Sequence, residues 1–355
     1  MIVPPGSTIG IVGGGQLGRM LSVAAAQLGY KCHVLAPDAD PPAAHVALQV
    51  TRADYDDVDA LTAFAEQVDV ATYEFENLPV SALEALGDLL HPGIASLEIA
   101  QDRAAEKRFI EHTGAHVARW VDIASESDAE KAEAELGLPF VLKSRRLGYD
   151  GKGQAWVREP GKAAEAWQSI GCAPAVAEAT VAFDAEFSVV LARTADGEIA
   201  TFDVPLNTHR EGILRRSELP AGELVESQAA EALRIARKLA DALGHVGVMT
   251  VEFFATPDGP LVNEIAPRVH NSGHWTIEGA VTSQFEQHIR AICGLPLGST
   301  DLIVPAVAMD NLIGEDVLDW AKLVAEPGAH VHLYGKGEPR PGRKMGHVTR
   351  LTPTV

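Results

Sequence analysis

The feature that most constrains this chain is the texture of its N-terminal part, where short apolar runs alternate with helical patterns. Ser7 to Val12 reads as a buried strand, Gln16 to Leu28 as a helix and Cys32 to Ala36 as a second strand. Asp56 to Gln67 reads as a helix, its acidic start matched to the helix dipole. Val68 to Tyr73 is a further strand and Val80 to Leu86 a further helix. Such alternation implies βαβ units on a parallel sheet. With 355 residues the chain exceeds one such unit, and roughly 150 residues per domain predicts two or three domains.

Beyond residue 97 the pattern changes. Leu97 to His112 reads as one charged helix, and Ser127 to Leu136 as another, stopped by Gly137 and Pro139. Phe140 to Ser144 is a strand, followed by the loop RRLGYDGKGQ, a strand at Ala155 to Arg158 and a helix at Lys162 to Ile170. Phe187 to Ala192 and Ile199 to Val204 flank Asp196-Gly197 as an antiparallel hairpin. A long helix spans Gln228 to Leu243. A second hairpin, Val248 to Phe254 with Pro260 to Ile265, turns at Pro257-Asp258-Gly259. Gly279 to Ile292 reads as a helix, and GLPLGST as a boundary before a tail of short strands and one helix. The expected class is α/β with an α+β core.

A net charge of -20 repels a polyanion, so nucleic acid is not an expected partner. A small anion is different, because a few Lys and Arg make a local positive pocket. Cys32, Cys172 and Cys293 are too few and too widely spaced for a disulfide framework or a zinc pattern, and are expected to be buried in a reducing cytoplasm. The N-terminus lacks the basic region and cleavage site of a signal peptide. No run approaches the ~18 apolar residues of a membrane span, so no membrane partner is expected.

Gly13-Gly14-Gly15-Gln16-Leu17-Gly18 follows a strand and opens a helix, as in a dinucleotide fold, and Asp38 lies 20 residues beyond Gly18. Alone, the motif leaves open a nicotinamide-dependent oxidoreductase. It says only that the backbone turns tightly and that helix amides face an anion, which can equally be a substrate phosphate.

Glu252 in VMTVEFF and Glu264 in PLVNEIAPR each stand six positions from Asp258, on opposite strands of the second hairpin. They therefore face each other across the ladder. Two carboxylates side by side among apolar residues repel, and a divalent cation between them resolves the conflict. Asn263 adds a neutral oxygen. The second glycine loop, Gly148-Tyr149-Asp150-Gly151-Lys152-Gly153-Gln154, follows Lys143 at the end of a strand. Its amides can close on phosphates, and Lys143, Lys152 and Arg103 can neutralise a triphosphate, although it is not a Walker loop. Arg268, His270, Asn271, Ser272, Gly273 and His274 are poor core material and suit a substrate rim. Lys336, Arg343 and Lys344 form a basic patch on an acidic protein, suited to a phosphomonoester.

With these residues assembled, the chain resembles the 5-(carboxyamino)imidazole ribonucleotide synthases of purine biosynthesis. The resemblance is carried by GGGQLGRM, YEFEN, GYDGKGQ, VEFF with NEIAPRVHNSGHWT, and HLYGK with RKMGH, in one order over nearly the whole chain. It implies a Rossmann-like pre-ATP-grasp domain at 1–96, a two-lobed ATP-grasp domain at 97–297 and a small β-rich domain at 298–355. It implies carboxylation of 5-aminoimidazole ribonucleotide by ATP and bicarbonate, and a cytoplasmic homodimer. ATP would meet Arg103, Lys143, Gly148 to Gln154, the hinge Glu178-Ala179-Thr180-Val181, Glu186, His209, Asn263 and Glu264. Mg²⁺, or Mn²⁺, would sit on Glu252 and Glu264. The ribonucleotide would meet Gly15, Gln16, Leu17, Glu76, Tyr149, Arg268, His270, Asn271, Lys336, Arg343 and Lys344. The catalytic set would be Asp150, which assists loss of the amine proton, with Lys143, Arg268 and Lys344. The alternatives within the superfamily are a formate-dependent glycinamide ribonucleotide transformylase and a biotin carboxylase-like enzyme; outside catalysis, it is a nucleotide-binding regulatory protein.

Overall fold

The computed structural model describes residues 2–148 and 153–352. Tyr149, Asp150, Gly151 and Lys152 of the second glycine loop, and the roles expected of them, lie outside the described residues.

The N-terminal alternation is realised as β1 (Thr8–Val12), α1 (Gln16–Gln27), β2 (Lys31–Leu35), β3 (Gln49–Thr51), α2 (Val58–Ala65) and β4 (Val70–Tyr73). The strands form a parallel sheet ordered β3-β2-β1-β4, with Ile9 level with Cys32 on one side and Val70 on the other. β3 went unforeseen because three residues, QVT, carry no periodicity. α3 (Val80–Leu83), α4 (Ile94–Gln101) and α5 (Arg103–His112) follow. The single helix expected over 97–112 is broken at Asp102, which is extended at φ -126°, ψ 108°. The Asp102 carboxylate caps α5, accepting from the Ala104 and Ala105 amides at 3.0 and 3.2 Å. It also holds Arg145 in two hydrogen bonds.

A small lobe comprises β5 (Trp120–Ile123), α6 (Glu126–Leu136), β6 (Phe140–Ser144), β7 (Gln154–Val157), α7 (Ala163–Ser169) and β8 (Ala175–Ala179). Its antiparallel sheet, ordered β5-β8-β6-β7, packs Ile123, Phe140, Leu142 and Val157 into a core of their own. The large lobe comprises β9 (Ala185–Arg193), β10 (Ile199–Thr201), β11 (Leu206–Arg210), β12 (Ile213–Leu219), α8 (Glu223–Ala242), β13 (Gly247–Thr256), β14 (Gly259–Ala266), α9 (Thr276–Gly279) and α10 (Gln284–Ile292). α8 buries Val225, Ala232, Ile235, Ala236, Leu239 and Ala240, a stripe at helical spacing laid on β9 and β13. The helix expected over 279–292 is instead two, because Ala280 is extended and α10 restarts at Ser283, whose side chain caps it by accepting from Glu286 N.

The C-terminal strands, β15 (Ala306–Ile313), β16 (Ala329–Leu333) and β17 (Lys344–Thr352), flank helix α11 (Trp320–Ala325). They extend the large-lobe sheet: β15 pairs with β12, giving the order β14-β13-β9-β11-β12-β15-β17-β16. Residues of β1, α1, β9, β13, α10 and β15 share one apolar core, so the N-terminal sheet, the large lobe and the tail are packed as neighbours. Cys32 and Cys293 are buried as expected, whereas Cys172 is exposed.

Candidate active site

The β13–β14 hairpin places Glu252 opposite Glu264, as the turn count predicts. The pairing depends on a β-bulge. Thr256 opposite Gly259 and Phe253 opposite Val262 set a register that would bring Glu252 level with Asn263, and the shift between Glu252 and Phe253 moves Glu264 there instead. Asn263 becomes the extra residue and donates to Glu252 Oε2 at 3.4 Å. Burial pushes the Glu252 carboxyl up, and the charge of Glu264 adds to it, to about 7. Two opposed carboxyl groups, with Glu252 in a setting that penalises its charge, and an amide beside them make a donor set fit for a hard divalent cation.

Helix α5 supplies the cations. Arg103, Glu106 and Lys107 fall at helical spacing on one face. Arg103 reaches Glu264 at 3.4 Å and the Gly148 carbonyl at 3.3 Å. Glu106 is buried and accepts from Ile265 N at 2.6 Å; burial and the nearby Glu264 push its carboxyl up to about 8. Lys107 pairs with Glu178 at 3.1 Å, and Lys143 takes the other Glu178 oxygen at 2.8 Å. Burial alone would raise the Glu178 carboxyl, but Lys143 and then Lys107 overturn that and hold it at about 2. The Glu178 side chain is therefore committed to these lysines. Lys143, expected to face a triphosphate, is ion-paired here.

The segment Glu178-Ala179-Thr180-Val181 leaves the end of β8 and crosses to β9, the junction of the two lobes; Thr180 Oγ1 donates to the Pro139 carbonyl at 2.7 Å. Glu186 at the start of β9 is ion-paired with His209 on β11. Burial opposes the charge on His209, but Glu186 and Glu252 outweigh it and raise its pKa above the ordinary value. Gly153 and Gln154 are at the start of β7, where Gln154 pairs with Lys143 in the ladder.

The first glycine loop differs from expectation. Its Gly15 and Gly18 amides donate to Glu74, the latter at 2.8 Å. The Gly15 amide is therefore not open to a substrate phosphate. The Glu74 carboxyl already takes two amides of this turn, Gly15 and Gly18, on which the pyrophosphate of a nicotinamide dinucleotide would rely. The glycines are explained by this contact: a Cβ on Gly13 would come within 2.3 Å of Glu74 Cγ, and on Gly15 within 2.6 Å of Oε1. Burial raises the Glu74 carboxyl against the pull of the two amides and of Lys336.

Two residues on, Glu76 holds Arg268 in a fork of two hydrogen bonds, 2.5 and 3.0 Å. Burial would raise the Glu76 carboxyl, yet Arg268 brings it below the ordinary range. His270 contacts Glu252 at 3.3 Å and Ser272 Oγ at 2.9 Å; burial, then Arg268 and Lys344, keep its ring neutral. Asn271 serves the fold. It exchanges two amide hydrogen bonds with Asn311 of β15, at 2.9 and 2.7 Å, and so clamps the tail strand to the rim. His274 is fully buried and bonded to Gln284. Lys336 lies 5.6 Å from the Tyr334 ring, on the Glu74 side, and Lys344 starts β17 on the side of His209 and His270. Arg343 is half-buried, its carbonyl accepting from Gly314 N at 2.8 Å. Glu74, Glu106 and Lys107 carried no sequence signal beyond their type; only the YEFEN context of Glu74 and the helical spacing of the other two could have drawn attention to them.

The fold and the paired carboxylates define an ATP-grasp ligase. The ATP-grasp domain model matches residues 108–285, the ribonucleotide synthetase preATP-grasp domain 6–101, and the phosphoribosylaminoimidazole carboxylase C-terminal domain 307–355. The chain is 50% identical to N5-carboxyaminoimidazole ribonucleotide synthase of Brucella melitensis, over 98% of this chain and 97% of that one. It is 45% identical to the Bacillus subtilis protein of the same name, over 98% and 92%. Among solved structures it resembles the Staphylococcus aureus synthetase complexed with ADP (TM-score 0.94, 38% identity, 99% and 95% covered). It also resembles the Aspergillus clavatus synthase in complex with ADP and 5-aminoimidazole ribonucleotide (TM-score 0.91, 31% identity, 98% and 94% covered). The chain belongs to the N5-carboxyaminoimidazole ribonucleotide synthase family, ATP-dependent ligases of purine biosynthesis.

Proposed function

We propose that this chain uses ATP and bicarbonate to carboxylate the exocyclic amine of 5-aminoimidazole ribonucleotide. The observation that carries the assignment is the register of the β13–β14 hairpin, which sets Glu252 against Glu264 beside Arg103. These two carboxylates would hold Mg²⁺ (Mn²⁺ is the alternative), which when bound neutralises phosphate oxygens as charge develops. Asn263, Arg103 and Lys143 orient the triphosphate, and the described ends of the glycine loop, Gly148, Gly153 and Gln154, flank it. Adenine meets the hinge Glu178-Ala179-Thr180-Val181, through backbone groups, since the Glu178 carboxylate is engaged. Glu186 and His209 take the ribose.

A bicarbonate oxygen attacks the γ-phosphorus, the bond to ADP breaks, and carboxyphosphate forms. The barrier is mainly electrostatic, so positioned charge does the work. The ribonucleotide amine then attacks the carboxyl carbon, directly or as CO2 released in the site; phosphate leaves and the amine gives up a proton. Asp150 is the residue assigned to that proton, and Tyr149, its neighbour in the sequence, is assigned to the ribonucleotide. Arg268, locked by Glu76, presents a fixed cation to the ribonucleotide, with His270 at the same wall. Lys336, Arg343 and Lys344, with the Gln16 and Leu17 end of α1, hold its phosphate. Carboxyphosphate hydrolyses in water, so closure of the site is part of the chemistry.

The domain division is 1–96, 97–297 and 298–355. No helix among the described residues is long and apolar enough to cross a membrane. A cytoplasmic homodimer completes the assignment. Val23 and Leu333, exposed around a cavity of about 300 Å³ between α1 and β16, offer an apolar face for it.

Coupled ADP release tests the substrate. 5-Aminoimidazole ribonucleotide with bicarbonate should stimulate it; stimulation instead by glycinamide ribonucleotide with formate, or by biotin, would reassign the enzyme.

A further inference from the structure

Glu178 is 5% exposed and sits between two ammonium groups of unequal standing. Lys143, on β6, ends at the site mouth with 16% of its side chain exposed, 2.8 Å from one Glu178 oxygen. Lys107, on α5, is 3% exposed and 3.1 Å from the other oxygen. Lys107 has no route to solvent from there, and Lys143 does.

A buried carboxylate stripped of its cation is costly, so a lone partner cannot leave it cheaply. Were Lys143 the sole partner of Glu178, its charge would be spent on that pair. With Lys107 fixed on the second oxygen, Glu178 stays compensated when Lys143 turns away. The triad then carries one positive charge more than it needs, and that charge is the one at the mouth.

We propose that Lys107 is a positioning residue for ATP binding: it keeps Glu178 neutralised so that Lys143 can release the carboxylate and meet a phosphate of the nucleotide. Lys107 itself touches no substrate. The inference rests on the assignment of Lys143 to the triphosphate. The position of Lys107 one turn after Arg103 gives α5 two distinct tasks, since Arg103 faces Glu264 directly while Lys107 acts through Glu178.

The test is a cycle of variants read as KM for ATP and KM for the ribonucleotide. Lys107→Met should raise KM for ATP by roughly tenfold, a normal coupling size, and leave KM for the ribonucleotide unchanged. Adding Glu178→Gln to Lys107→Met should recover most of that loss, because a neutral amide neither grips Lys143 nor needs a counter-charge. A merely structural lysine would show no such recovery. Should Lys107→Met alone fail to fold, the comparison of Glu178→Gln with Lys107→Met/Glu178→Gln decides: equal KM values for ATP support the proposal, and a further rise overturns it. Lys143→Met separates the two levels. If it leaves KM for ATP unchanged, the assignment of Lys143 is wrong. If it raises KM while Lys107→Met does not, only the role of Lys107 falls.

Discussion

Water solvates a carboxylate so well that a buried one must be matched by nearby cations or give up its charge. Both outcomes occur within this site. Glu178 stays charged because Lys143 and Lys107 hold it, and Glu106 is pushed up to about 8 because burial wins. For Glu178 the folded value of about 2 lies below the ordinary 4.5. Its stabilisation is therefore complete above the ordinary value and is lost as pH falls toward the folded one. Glu178→Gln should lower Tm at neutral pH and flatten the fall of Tm between about pH 5 and about pH 3. An unchanged slope would mean that the triad does not stabilise the fold. At this scale the sequence is only partly legible. Counting from the turn brings Glu252 and Glu264 close together, but the register of the turn alone would set Glu252 against Asn263, and the bulge that makes Glu264 its partner has no signal in the sequence. Lys107 and Glu106 cannot be found by such counting, because charges on a helix ordinarily mark the solvated face, and only the packing of α5 against β8 and β14 turns them inward.

Between residues and fold, the elements decide which groups meet. The glycine loop before α1 reads in the sequence as an anion site, and the group that its Gly15 and Gly18 amides meet is the carboxyl of Glu74 from the end of β4. No local pattern announces a partner 56 to 59 residues away. Gly13 adopts φ +115° and has no room for a Cβ beside Glu74. Gly13→Ala should destabilise the protein by about 2 kcal/mol, from backbone strain and the clash together. Thermal unfolding would register this as a lowered Tm; a wild-type Tm would show that the loop is not held by Glu74. Strand–helix alternation was readable because its two periods differ. The breaks at Asp102 and Ala280 were not, since both residues interrupt stretches that otherwise keep helical spacing.

The molecule joins its parts through one large sheet. β15, β16 and β17 complete the large lobe, and the Asn271–Asn311 amide pair ties them to the rim. The sequence marks the tail as a separate module by its boundary stretch; it cannot show that the tail's strands pair with β12, because edge pairing is decided between distant segments. This arrangement brings Lys344 near His270 while Arg103 and Lys143 lie at the other wall. Lys344→Ala should raise KM for the ribonucleotide roughly tenfold, the worth of one charge-assisted contact, with KM for ATP nearly unchanged. An equal rise in both would remove the phosphate patch. The paired carboxylates lie between the two walls, since Arg103 contacts Glu264 and His270 contacts Glu252. The most direct measurement is ribonucleotide-stimulated ADP release by Glu264→Ala. It should fall by about 100-fold or more with the fold intact, and near-normal turnover would contradict the metal assignment on which the mechanism stands.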